Sequence, residues 1–109
     1  MGAILKGYSL EIETNPSLFD IANVAADMES EIGDIRNLDK LTQSMVSFNP
    51  DIVIHMAAQP LVRLSYIKPV DTYTSNVIGT VNVLEAARKC SDLKSIVCIT
   101  TDKCYENNE

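Results

Sequence analysis

The spacing of apolar positions changes several times along the chain, and each change marks an element. Residues 4–10 (Ile-Leu-Lys-Gly-Tyr-Ser-Leu) form a short apolar-biased run with a glycine near its end, which predicts a strand entering a loop. Asn15-Pro16 offers a cap and a first-turn proline for a brief helix carrying Leu18, Phe19, Ile21 and Val24. Residues 31–35 read as a short strand ending in a Gly33-Asp34 turn. Leu38, Leu41, Met45 and Phe48 recur at three- and four-residue steps, so 38–48 is predicted to be an amphipathic helix stopped by Asn49-Pro50. The run 51–56 (Asp-Ile-Val-Ile-His-Met) is too short for a helix and rich in β-branched residues; it predicts a strand buried on both faces, as in a parallel sheet. Pro69 then opens the longest helix, with Val70, Tyr73, Val77, Val81, Leu84 and Ala87 on one stripe and an end near Cys90, and 94–100 predicts a further buried strand.

Strands alternating with helix-sized crossovers predict an α/β fold, a partial Rossmann-like doubly wound parallel sheet with flanking helices. At 109 residues the chain amounts to one domain at most. Hydrophobic content of 46% and charged content of 22% are those of a globular protein. A net charge of −6, with the nine Lys and Arg scattered, argues against a nucleic-acid surface. Three cysteines without C-x-x-C spacing fit a reducing cytoplasm, and one histidine with no paired cysteine motif argues against zinc. No apolar run reaches the roughly 18 residues of a membrane span. A soluble, cytoplasmic α/β domain is therefore expected.

In parallel sheets of this kind ligands gather at the carboxyl ends of the strands. Those ends are Tyr8-Ser9-Leu10, His55 through Gln59, and Thr100 through Tyr105, with the turn at Gly33-Asp34-Ile35-Arg36 between them. Small side chains at Ala57 and Ala58 let a flat group approach the backbone, and Asp34 can accept from an adenine amino group. Each signal taken singly has a plain reading: a packing pair, a turn, and, for His55, a satisfied structural histidine. The Gly-rich turn that places a pyrophosphate on a helix N-terminus is not found, because Gly2, Gly7, Gly33 and Gly79 are too widely spaced to make one.

The motifs become specific in combination. Gly33-Asp34-Ile35-Arg36, the run from Asp51 to Gln59, the run from Asn76 to Thr80, and Thr100-Thr101-Asp102-Lys103 together resemble the ordered motif series of the extended short-chain dehydrogenase/reductase family. Lys6 to Leu10, Pro16 to Phe19, Ala57 to Tyr66 and Thr101 to Tyr105 are similar to its CDP-glucose 4,6-dehydratase branch. The resemblance implies an NAD cofactor and CDP-glucose as the small-molecule substrate, with no nucleic acid or membrane partner. It also implies a homo-oligomer in the full-length protein, paired through helices that include the long one near Asn76.

The resemblance assigns residues too. Tyr8 and Ser9 stand at the first strand's cofactor-facing end, where many such folds place an acidic residue for the ribose. Asp34 and Ile35 match an adenine-contacting pair, Ala57, Ala58 and Gln59 the segment along the cofactor's ribose and phosphates, and Ser75 and Thr100 further cofactor-facing positions. Asn76 matches an asparagine that ties the long helix to the neighbouring strand. Thr101 matches the hydroxyl that contacts the sugar, and Asp102 and Lys103 match the acid and base of dehydration. The implied reaction oxidises C4 of the glucose, eliminates water across C5 and C6, and reduces C6, leaving the cofactor unchanged overall. Opposed pKa demands on two neighbouring groups suit that division of labour.

Two features depart from the pattern: the Gly-rich loop is missing, and Tyr105 is followed by Glu109 where a Tyr-x-x-x-Lys pair needs lysine. The domain is therefore expected to be incomplete, without the first strand, loop and helix and without the substrate domain, and inactive by itself. Two alternatives stand beside this reading: another extended family member such as a sugar-nucleotide epimerase, and a non-catalytic dinucleotide-binding or interaction module.

Overall fold

A computed structural model describes residues 2–101 of the chain. Among these residues four strands and five α-helices follow one another: β1 (Lys6–Ser9), α1 (Leu18–Ile21), β2 (Glu29–Ile32), α2 (Leu38–Phe48), β3 (Ile52–His55), α3 (Val62–Ile67), α4 (Pro69–Tyr73), α5 (Gly79–Ala87) and β4 (Ser95–Cys98). A 3₁₀ turn, Val24–Asp27, precedes β2, and a π-helical turn, Thr74–Ile78, joins α4 to α5. The strands pair parallel as two ribbons, β1 with β2 and β3 with β4, in registers that set Lys6 opposite Glu29 and His55 opposite Cys98.

Helix α2 has the bounds its apolar spacing predicts. Asn37 caps it by accepting from the Lys40 amide at 3.1 Å. It ends at Asn49, whose left-handed conformation (φ 48°) lets its own amide bond the Met45 carbonyl at 2.8 Å before Pro50 blocks continuation. The Asn49 side chain then accepts from the Ser91 amide at 3.1 Å and donates to Asp92 at 2.9 Å, fastening this corner to the loop before β4.

The direction of β3 relative to the first ribbon follows from where α2 lies. At its start, Lys40 Nζ donates to the Ile32 carbonyl at 2.6 Å, at the end of β2. At its end, the Phe48 ring lies 5.9 Å from the ammonium of Lys6, at the start of β1. Helix α2 thus runs antiparallel to the first ribbon. β3 starts beside its end and finishes at His55, bonded to Thr80, next to the Gly79 that packs on Ile35 beyond β2. All four strands therefore share one direction, as crossover connections through helices require.

The core is formed where α2 crosses α5. Leu41, Val83 and Ala86 are buried, with Tyr8, Ile35, Met45 and Val53 packed against them. Asn82, also buried at 8% exposure, donates from Nδ2 to the carbonyls of Ile35 (2.9 Å) and Arg36 (3.2 Å), joining the second crossover to the turn after β2. Lys6 reaches Glu29 and Glu31 at 2.8 and 2.9 Å; desolvation opposes its charge, but these two carboxylates outweigh that and hold its pKa above the usual lysine value.

Several expectations need correction. β3 and β4 are not buried on both faces: α2 and α5 lie together on one side, and Ile52 and Ile54 on the other are 60% and 61% exposed. The stripe Val70, Tyr73, Val77, Val81 and Leu84 is likewise exposed, because the helix turns Gly79, Asn82, Val83, Ala86 and Ala87 inward instead. Ala87 was expected on that stripe and is buried. The cap of α1 is Ser17, accepting from the Asp20 amide at 3.1 Å, rather than Asn15, and Pro16 lies outside the helix. β2 begins two residues earlier than its sequence signal, and α3 carries no side-chain cap that would announce it.

Between the ribbons runs a groove of about 530 Å³, lined by β1, β3, Leu41, Met45 and Val83. In a parallel pair each residue directs its amide and carbonyl to one side, alternating along the strand. The Leu5 and Ser9 carbonyls accept from Glu29 and Gly33, so the peptide groups of Lys6 and Tyr8 turn away from β2, towards the groove. By the same alternation, the carbonyls of Asp51 and His55 accept from β4 and its flanks, so Ile52 and Ile54 turn towards it from the other side.

Asn82 is the polar tie in this arrangement. Replacing it by Ala leaves two carbonyls without their donor and is expected to lower the unfolding free energy by about 1–3 kcal/mol, read as a lower urea midpoint at unchanged slope.

Candidate functional site

The carboxyl ends of the strands come together in two pairs. The Gly33 amide donates to the Ser9 carbonyl at 2.8 Å, and the Ile99 amide donates to the His55 carbonyl at 2.9 Å. Met56–Gln59 and Thr100–Thr101 therefore leave the second ribbon side by side. Tyr8, Ser9, Ile35 and Ala57 all line the groove between the two ribbons.

At the first pair, Tyr8 is half-buried, and its hydroxyl donates to the Asp34 carbonyl at 3.3 Å; burial pushes the phenol up, helped by the charges of Glu31 and Asp34. A Cβ at Gly33 would collide with the Tyr8 ring, so the absence of a side chain there is what lets the ring lie over the turn. Gly79 does the same for Ile35, whose side chain occupies the space a Cβ would need. The Asp34 carboxylate is already engaged: Arg36 donates to it from its amide (2.8 Å), from Nε (2.9 and 3.1 Å) and from Nη2 (2.6 Å). Those bonds hold its carboxyl below the usual aspartate range and occupy most of its roughly four acceptor sites. An adenine amino group would share this carboxylate with Arg36.

At the second pair, Ala57 and Ala58 are exposed and present little beyond backbone. The next peptide is clamped: Asn76 Oδ1 accepts from the Gln59 amide at 2.7 Å, and Asn76 Nδ2 donates to the Gln59 carbonyl at 3.0 Å. The Gln59 side chain folds back, donating to Thr72 Oγ1 (2.9 Å) and accepting from the Leu61 amide (2.6 Å), so it braces the loop rather than reaching outward. Asn76 belongs to the π-helical turn, a distortion frequently found at functional sites. Ser75 is half-buried in the same turn. Thr100 and Thr101 are exposed beyond β4, while Asp102 and Lys103, the expected acid and base, lie outside the described residues.

His55, 7% exposed, places Nε2 2.9 Å from Thr80 Oγ1, and that hydroxyl donates to the Asn76 carbonyl at 2.7 Å. Burial pushes the imidazole's pKa below its ordinary value. Read by itself in the sequence, His55 was a satisfied structural histidine, and so it is; Thr80, the partner 25 positions away, carried no local signal.

The nucleoside end of a dinucleotide would meet a bare Ala-Ala ledge with a fixed peptide behind it and, across the groove, a turn that carries Ile35 and a carboxylate shared with Arg36. Among the described residues no cluster of side chains suits a metal ion, and no helix is long and apolar enough to cross a membrane.

Comparison with known proteins bears on the same segments. The sequence family described as GDP-mannose 4,6 dehydratase matches residues 5–108. The chain is 56% identical over all its 109 residues to a CDP-glucose 4,6-dehydratase of Salmonella typhimurium, of which it spans 30%. Among solved structures, it is similar to a UDP-glucose 4-epimerase from Brucella ovis in complex with NAD, with 30% identity, a TM-score of 0.60, and coverage of 66% of this chain and 22% of that one. It also superposes on a UDP-glucose-4-epimerase from Stenotrophomonas maltophila with bound NAD and formylated UDP-arabinopyranose, with a TM-score of 0.81, 21% identity, and coverage of 99% of this chain and 32% of that one; at this identity the likeness speaks for the fold alone.

The buried imidazole gives the chain a definite pH dependence. The folded form holds His55 neutral, so the unfolded chain binds the extra proton: stability is present above the ordinary histidine pKa of about 6.5 and declines as pH falls through it. Denaturation midpoints should drop between about pH 7.5 and about pH 5.5. His55→Gln, which cannot titrate, should flatten that window while keeping the further loss below about pH 4 that Glu31 and Asp34, both held low by their partners, contribute.

Proposed function

This chain belongs to the GDP-mannose 4,6-dehydratase family of extended short-chain dehydrogenases, and on that premise we propose that it forms the cofactor-facing part of an NAD-dependent 4,6-dehydratase converting CDP-glucose to CDP-4-keto-6-deoxyglucose, a lyase of deoxysugar biosynthesis. The observation that carries the proposal is the Ile99–His55 backbone bond, which sends the Ala57–Gln59 ledge and the Thr100–Thr101 segment out of the sheet as neighbours. A cofactor on the ledge and a hexose at the threonines would then meet.

Asp34 and Ile35 would hold the adenine end of NAD, with Tyr8 and Ser9 on the ribose side. The clamped Ala57-Ala58-Gln59 backbone would lie along ribose and phosphate, and Ser75 and Thr100 would border the remainder. When bound, NAD supplies reversible oxidation, first at C4 and finally, in the reverse sense, at C6. The chain's own groups do the rest. Thr101 orients the sugar through its hydroxyl, Lys103 takes the C5 proton made acidic by the neighbouring ketone and returns it to C5 when C6 is reduced, and Asp102 protonates the departing C6 hydroxyl so that it leaves as water. The two roles need a lysine pKa pulled down and an aspartate pKa pushed up.

The exposed stripe Val70, Tyr73, Val77, Val81 and Leu84 suits burial against a second copy, which gives the expected homo-oligomer a surface. The epimerase reading draws on the Brucella ovis neighbour. Product chemistry separates the two, since a dehydratase removes one water and an epimerase leaves the mass unchanged.

The test is a chimera in which this chain replaces the matching segment of the Salmonella typhimurium enzyme. It should convert CDP-glucose to a product lighter by one water, and Asp102→Asn in that chimera should slow the elimination by about 10²–10⁴-fold while NAD affinity stays within about twofold. A folded, NAD-binding chimera that leaves CDP-glucose intact, or an Asp102→Asn variant of undiminished rate, would refute the assignment.

A further inference from the structure

From the hydrogen-bond directions around His55 we infer that this buried histidine is a positioning residue for the ledge: acting through Thr80 and the π-helical turn, it fixes the Asn76 clamp on the Gln59 peptide. A threonine hydroxyl carries one proton. Thr80 spends that proton on the Asn76 carbonyl at 2.7 Å, so towards His55 its oxygen can only accept. His55 Nε2 must therefore carry the hydrogen of the 2.9 Å contact, which fixes the neutral imidazole as its Nε2–H tautomer. The result is a directed series: His55 donates to Thr80, Thr80 donates to the carbonyl of Asn76, and Asn76 grips Gln59 by both its amide and its carbonyl.

The location makes the series consequential. Both ends of the ledge are covered by it, because His55 ends β3 immediately before Met56-Ala57-Ala58 and the clamp closes immediately after. A π turn replaces the regular i→i−4 ladder locally, here with the Gly79 amide on the Thr74 carbonyl, so a side chain that bonds one of its carbonyls helps to secure its shape. The Thr80 hydroxyl bonded to the Asn76 carbonyl is such a group, and His55 holds that hydroxyl's oxygen from the strand side. The structural part of the inference stands by itself; its consequence for NAD rests on the function proposed above.

The experiment uses rescue by conservative variants in the same chimera. Its first readout is amide exchange in the segment Met56–Leu61 without ligand, and its second is NAD affinity and kcat. Thr80→Val and His55→Leu are expected to speed exchange at the Gln59 amide about tenfold and weaken NAD about tenfold, with kcat at saturating cofactor within about twofold. Thr80→Ser and His55→Gln keep the hydroxyl and a side-chain N–H donor respectively, and should restore both readouts. Imidazole ¹⁵N shifts should report the Nε2–H form. Unchanged exchange at Gln59 in Thr80→Val and His55→Leu, a Nδ1–H tautomer, or rescue variants as impaired as the disruptive ones would each overturn the inference. Faster exchange with unaltered NAD affinity would uphold the positioning role and overturn the ledge as the cofactor's seat.

Discussion

The packing of α2 on α5 is the contact on which everything else depends, because among the described residues the two ribbons share no strand pairing. Leu41 from one helix meets Val83 and Ala86 from the other, and each ribbon adds a single inward residue to the cluster, Tyr8 from β1 and Val53 from β3. Apolar burial is strong but has no direction. Direction comes from a few polar ties laid across the same seam: Asn82 to the carbonyls of Ile35 and Arg36, and Asn49 to Ser91 and Asp92. These ties set how far apart the strand ends lie, and so where the ledge faces the turn after β2.

The same economy governs the site. Its exposed surface at Ala57 and Ala58 is chemically bare, and its shape is imposed from behind by amide and hydroxyl groups bonded to one another and to the backbone. Asn76, Thr72 and Thr80 hold the loop after β3, while Gly33 and Gly79 matter through what they leave out, the room taken by Tyr8 and Ile35. A site organised this way is rigid where a flat cofactor would lie and unencumbered on the side the cofactor would approach.

Much of this was legible in the amino-acid sequence, for identifiable reasons. α2 was readable to the residue because its apolar period and its Asn-Pro stop agree with one another. The strand before Ala57-Ala58 and the helix opening at Pro69 were readable from β-branched composition and from proline's fixed geometry. What escaped notice depended on distant partners. Whether Ile52 and Ile54 are covered depends on where helices settle, and two crossovers on one side leave them bare. The π turn has no composition of its own, and α3 lacks a cap. Asp34 looked like a free acceptor because the sequence does not say which way Arg36, two residues on, will turn. His55 was judged correctly as to burial, yet its direction of donation required Thr80 and Asn76 to be seen together.

The groove between the ribbons bears on how the chain behaves in company. Peptide groups of Lys6, Tyr8, Ile52 and Ile54 face it from opposite banks, amid apolar side chains and without a proline in either strand. Natural sheets guard such edges with charge, and lysine is the usual sentry. Among the described residues Lys6 is the single charged one on the lining, and its ammonium is folded away onto Glu29 and Glu31. The sentry faces inward, so both banks stay receptive to any extended polypeptide that reaches them, whether a neighbouring segment or an errant strand of another molecule.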